Sequence, residues 1–245
     1  MGTVRGRPLL AGAFLGVLLL ACCAGLVLAP GTPHQPWSDP VTESPAAATL
    51  DPAYQRLLEA GLVEITREET GIIVALPYAT EENFMGRAVY ASSRAFAVPE
   101  LVDKLVRVQA RLQASGYGLK VLDAYRPYSV QLIMWEAYPD PVWVGSPQRG
   151  SSHNRGAAVD VTLVDGDGEE LEMPTPFDEF SPRAHVDYDG ASVAARRHLS
   201  LLRAAMLAEG FVDYPAEWWH FSIPGASRYP LLDLPLPAPA SGAGR

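Results

Sequence analysis

Ala157-Ala158-Val159-Asp160-Val161-Thr162-Leu163, closed by Asp165-Gly166-Asp167-Gly168, is the stretch that decides the fold. An apolar run bounded by an Asp/Gly cluster predicts a strand, and the turn predicts a hairpin that returns through residues 170–173. On such a strand Ala158, Asp160 and Thr162 share one face, and Val159, Val161 and Leu163 share the other. Asp160 is the misfit. A carboxylate buried without a partner is costly, so it needs donors or a cation. Arg155 nearby is one partner; a metal ion is the other.

Working outward, residues 72–76 read as a short strand before Pro77. Residues 98–115 read as a helix, because Leu101, Leu105, Val108 and Leu112 recur at helical spacing and Gly116 follows. Residues 119–124 read as a strand, and 128–138 as a helix with Pro127 near its start. Residues 192–209 form a second long helix closed by Gly210, and 218–223 a last strand. This order predicts an α+β domain over residues 51–230, with a small central antiparallel sheet and helices packed on it.

Asp160 has company. Ser151-Ser152-His153-Asn154-Arg155-Gly156 precedes its strand, and Glu217-Trp218-Trp219-His220 follows much later. Only five histidines are present: His34, His153, His185, His198 and His220. Two imidazoles, a carboxylate and an open position make the ligand set of a catalytic zinc. Glu217, three residues before His220, is the proton acceptor that water activated by such a metal needs. Three residues apart on an ideal strand, Glu217 and His220 point to opposite faces, so the chain must turn there, and Pro215 allows it. Arg126 closes Asp123-Ala124-Tyr125-Arg126-Pro127. The proline forces Arg126 to be extended at a strand end, where a cation can stabilise a developing oxyanion or simply form a surface ion pair.

The chain has 245 residues and a net charge of −9, which argues against a nucleic-acid partner. Residues 1–29 carry Arg5 and Arg7 and then an uncharged apolar run, which predicts an export signal. Three readings of it stand. Leu19-Leu20-Ala21-Cys22 resembles a lipobox that makes Cys22 a lipidated N-terminus; a signal peptidase cuts near Ala29; or the run, about 20 residues, spans a membrane uncleaved. All place the domain outside the cytoplasm, in a bacterial envelope. Both cysteines lie in this segment, so the domain has neither disulfide nor thiolate ligand. Residues 30–50 are Pro/Ala-rich and read as a tether, and residues 231–245 read as a disordered tail.

From residue 76 to residue 229 these motifs, with Tyr78-Ala79-Thr80, Asn83-Phe84, Met173 and Phe177-Asp178, resemble the VanX-type D-alanyl-D-alanine dipeptidases among the LAS zinc peptidases. The resemblance implies a hedgehog-like fold and one Zn²⁺ per subunit, held by His153, Asp160 and His220. It implies Glu217 as general base and Arg126 as the group that holds the oxyanion. Asp178 would pair with the substrate's ammonium, while Tyr78 and Ser151 frame the dipeptide. The implied reaction is hydrolysis of D-Ala-D-Ala, here in peptidoglycan turnover. Cytoplasmic members lack the export signal, so the departure bears on biological role. Two other readings are a D,D-carboxypeptidase that trims stem peptides and a zinc-bearing binding domain without catalysis.

Overall fold

The structure, a computed structural model, describes residues 51–239. The expected signal segment with Cys22, the expected tether and residues 240–245 lie outside the described residues. In chain order the elements are helix α1 (Pro52–Glu59), strand β1 (Val63–Ile65), helix α2 (Arg67–Thr70), and strands β2 (Ile73–Val74) and β3 (Ala95–Ala97). Helix α3 (Pro99–Gln113), strand β4 (Gly118–Asp123), helix α4 (Tyr128–Ala137) and strand β5 (Ala158–Val164) follow. Helix α5 (Val193–Ala208) and strands β6 (Val212–Tyr214) and β7 (Glu217–Ser222) complete the set.

Five strands form the main sheet in the order β2-β4-β5-β7-β6. All neighbours are antiparallel except β2 and β4. The route from β2 to β4 runs through β3 and α3, and a parallel pair needs a crossover of that length. A separate antiparallel ribbon pairs β1 with β3. Strand β5 is central and buried at all seven positions. Val159, Val161 and Leu163 enter the hydrophobic core with Leu101, Leu105, Leu112, Leu199 and Leu202. Burying a side chain of this kind contributes about 1.5–3 kcal/mol. Helices α3 and α5 thus pack on one face of the sheet, and the Asp160 face is left for the site.

Two expectations need correction. Residues 170–173 do not form a second hairpin strand. The return is one bridge, Val164 to Glu170, plus the Leu171 N–H to Leu163 O bond of 3.0 Å. Pro174 and Pro176 then stop any ladder, since proline has no N–H to donate. Nor is the segment after residue 230 a disordered tail as far as residue 239. It is a strap laid across the molecule, with Leu236 buried in the core. Its backbone is paired: Leu232 N–H donates to Asn154 O (2.9 Å), Tyr128 N–H to Leu232 O (3.1 Å), and Leu234 N–H to the Tyr125 hydroxyl (2.8 Å). Proline-rich composition suits an extended strap as well as a loose tail, and buried Leu236 makes the difference.

Candidate active site

The site is built on neighbouring strands. Asp123 on β4, Asp160 on β5 and His220 on β7 are successive cross-strand partners, Asp123 opposite Asp160 and Asp160 opposite His220. Directly opposed residues project to the same face of a sheet. His153 comes from the 3₁₀ turn His153–Arg155, which ends at Gly156 with φ +61°. A Cβ at Gly156 would lie 2.6 Å from Leu62 Cδ2, so glycine is required by both conformation and space.

The ring orientations leave lone pairs facing inward. His153 Nδ1 donates to Ala124 O at 2.7 Å, which fixes the tautomer and leaves Nε2 bare. That Nε2 lies 3.3 Å from Asp160 Oδ1 and 3.1 Å from His220 Nδ1. His220 Nδ1 is 3.0 Å from Asp160 Oδ1. Ligand atoms of the three residues all lie within 4.8 Å of one another. Such convergence of buried acceptors fits a cation, so the group can hold a metal. Burial works to raise the Asp160 carboxyl, but the two imidazoles outweigh it and hold the group below its ordinary value. Arg155 is not its partner; that guanidinium donates to Tyr229 O.

Glu217 is buried at the edge of this group, with Oε2 3.9 Å from His220 Nδ1. Burial pushes its carboxyl well above the usual range, and Asp160 and Asp178 push it further. Pro215 and Ala216 turn β6 into β7. Beyond the turn the register slips, with Tyr214 opposite Glu217 but Asp213 opposite Phe221. Extra residues between these pairs bulge the strand, and bulges re-aim side chains. Glu217 and His220 therefore both reach the cavity despite their three-residue spacing.

Arg126 is buried and held by three bonds. Nε and Nη2 donate to Asp123 Oδ2 at 3.0 and 2.6 Å, and Nη1 donates to Gln131 Oε1 at 2.9 Å. Asp178 stands across the site with φ +59°. The Tyr78 hydroxyl donates to its Oδ2 at 2.7 Å. Burial raises the Asp178 carboxyl to about 8, against the lowering effect of the Tyr78 bond. Ser151 Oγ accepts from the His153 N–H at 3.2 Å.

One cavity of about 330 Å³ is lined by Arg126, His153, Asp160, Glu217 and His220 together with Tyr78, Ser151 and Asp178. Asp123, Gln131 and Tyr90 were not singled out from the sequence. Asp123 lies in the same five-residue motif as Arg126, and a carboxylate ending an apolar strand was the available signal. Tyr90 also reaches it, donating to Asp123 Oδ1 at 2.7 Å.

The fold and this cavity define a metal-dependent hydrolase built on an α+β domain. A family profile described as D-ala-D-ala dipeptidase matches residues 58–236, and the chain belongs to that family. Its relatives include the D-alanyl-D-alanine dipeptidase of Escherichia coli strain K12, 40% identical over 65% of this chain and 82% of that protein. Another is the D-alanyl-D-alanine dipeptidase of Enterococcus faecium, 31% identical over 74% of this chain and 96% of that protein. The D-alanyl-D-alanine dipeptidase of Streptomyces coelicolor is 34% identical over 63% of this chain and 87% of that protein.

Proposed function

We propose that the chain hydrolyses the free dipeptide D-Ala-D-Ala to two molecules of D-alanine, with one zinc ion held by His153, Asp160 and His220. The observation that carries this is the meeting of that ligand group with Glu217, Arg126 and Asp178 in one cavity. When bound, zinc supplies Lewis acidity and makes water nucleophilic near neutral pH. Glu217 takes the proton of the attacking water at its carboxylate. It returns that proton to the amide nitrogen as the C–N bond breaks, so a carboxylic acid and an amine leave. Arg126 neutralises charge that develops on the carbonyl oxygen in the transition state, where stabilisation accelerates the step. Its orientation is fixed beforehand by Asp123 and Gln131. Asp178, helped by Tyr78, takes the substrate's ammonium.

Asp178 also favours a dipeptidase over a carboxypeptidase. In an acylated substrate the ammonium is replaced by an amide, and half-buried Asp178 would keep its Tyr78 bond but face no cation. The deciding experiment is a mass-spectrometric assay with and without chelator on D-Ala-D-Ala, L-Ala-L-Ala and N-acetyl-D-Ala-D-Ala. Cleavage of D-Ala-D-Ala alone, lost with chelator, supports the reading. Cleavage of the acylated peptide at an equal rate overturns it.

The apolar segment before the tether supports a second part of the proposal: the enzyme works outside the cytoplasm, anchored to a membrane, on dipeptide released in peptidoglycan turnover. Cell fractionation of wild type and Cys22→Ala tests the lipid anchor. A chain found in the cytoplasmic fraction removes the envelope role.

A further inference from the structure

We infer that Arg149 is the residue that reads the terminal carboxylate of the dipeptide and so completes recognition of both substrate ends. The inference rests on the proposed reaction. A free dipeptide carries an ammonium at one end and a carboxylate at the other, and the cavity provides Asp178 for the first. Two arginines line the cavity, Arg126 and Arg149. Arg126 already has the oxyanion as its task, and its Nε, Nη1 and Nη2 are held for it by bonds to Asp123 and Gln131. Arg149 is exposed, and among the described residues its guanidinium has no hydrogen bond or ion pair.

The backbone under Arg149 is nevertheless fixed. Its N–H and that of Gly150 both donate to Ser146 O, at 3.1 and 2.9 Å. Gly150 has φ +67°, and a Cβ there would lie 2.5 Å from Leu231 Cδ2 of the strap. Ser151 N–H then donates to Asn154 Oδ1 at 2.7 Å, two residues before His153. A loop with a bonded backbone thus presents a long cation, without a protein partner among the described residues, at the wall of the cavity.

Arg149 lines the cavity from the loop before His153, whereas Asp178 lines it from the segment after β5. Tyr214 packs edge-on to the His220 ring at 6.0 Å and donates to Val142 O at 3.0 Å. A guanidinium matches a carboxylate with two parallel N–H bonds, which a lysine cannot reproduce.

The test uses the full-length, zinc-loaded chain and compares D-Ala-D-Ala with D-Ala-D-Ala amide, which lacks the terminal charge. Affinities are measured by calorimetry on the Glu217→Ala background, where turnover does not interfere, and KM and kcat on the parent. With Arg149 present the free acid should bind about tenfold or more tighter than the amide, the scale of one charge-assisted bond. Arg149→Ala should shrink that preference to about twofold by raising KM for the acid alone, with kcat little changed, and Arg149→Lys should restore part of it. A preference that survives intact in Arg149→Ala, or one absent from the parent, overturns the inference. Failure of the parent to hydrolyse D-Ala-D-Ala at all would instead remove the proposed reaction, and this inference with it.

Discussion

Asp123 decides how Arg126 is held. It is fully buried, and its two oxygens take bonds from Arg126, Tyr90 and the Ala124 N–H. Removing it leaves a buried guanidinium without its counter-ion, a change worth about 3–5 kcal/mol. Asp123→Ala should therefore lose both stability and rate, measured by denaturant unfolding and steady-state kinetics. Arg126→Ala should keep the metal and lower kcat by roughly 10²–10³, the cost of one oxyanion donor. Glu217→Ala should keep metal stoichiometry while turnover falls near background, whereas His220→Ala should lose the metal itself; metal analysis after dialysis separates the two. Asp178 makes a prediction in pH. Its carboxyl is raised to about 8 by burial, above the unfolded value. The folded chain binds the extra proton between the two values, so this group lowers stability as pH rises from about 4 to 8. Asp178→Asn should be flatter across that window, and its advantage over wild type should grow with pH in unfolding titrations. An advantage that shrinks with pH would contradict the burial argument.

At the scale of elements, long periodic segments were legible, and of the short ones β2 was found while β1 and β3 were not. Helices α3 and α5 could be read because several apolar positions repeat at one spacing and capping residues mark the ends. Strands β1 and β3 have three residues each, too few for a pattern to rise above chance. The parallel placement of β2 depends on a crossover, which local sequence does not encode. The site shows the same division. His153, Asp160, Glu217 and His220 are residue types whose chemistry is visible in one dimension. Asp123, Gln131 and the β7 bulge matter through partners set by packing. The turn bearing His153 makes this testable: Gly156→Ala forces a Cβ against Leu62 at positive φ. It should cost about 1–3 kcal/mol. Roughly 2–12 °C should be lost from Tm, with metal affinity falling as the turn shifts.

At the scale of the whole molecule, the strap joins segments that are remote in sequence. It pairs with Asn154 and Tyr128, while Asn154 Nδ2 donates to Arg126 O at 2.9 Å and Arg126 N–H donates to His153 O at 3.1 Å. Leu236 seats it in the core, so Leu236→Ala should cost about 2–5 kcal/mol in chemical denaturation. An unchanged midpoint would make the strap ornamental. Its seating also has a consequence in time. A ribosome delivers Arg126 and His153 long before β7 and the strap, yet the ligand set lacks His220 and the loop lacks its clasp until residue 236 has emerged. The growing chain therefore lacks a complete ligand set until its far segment has been made.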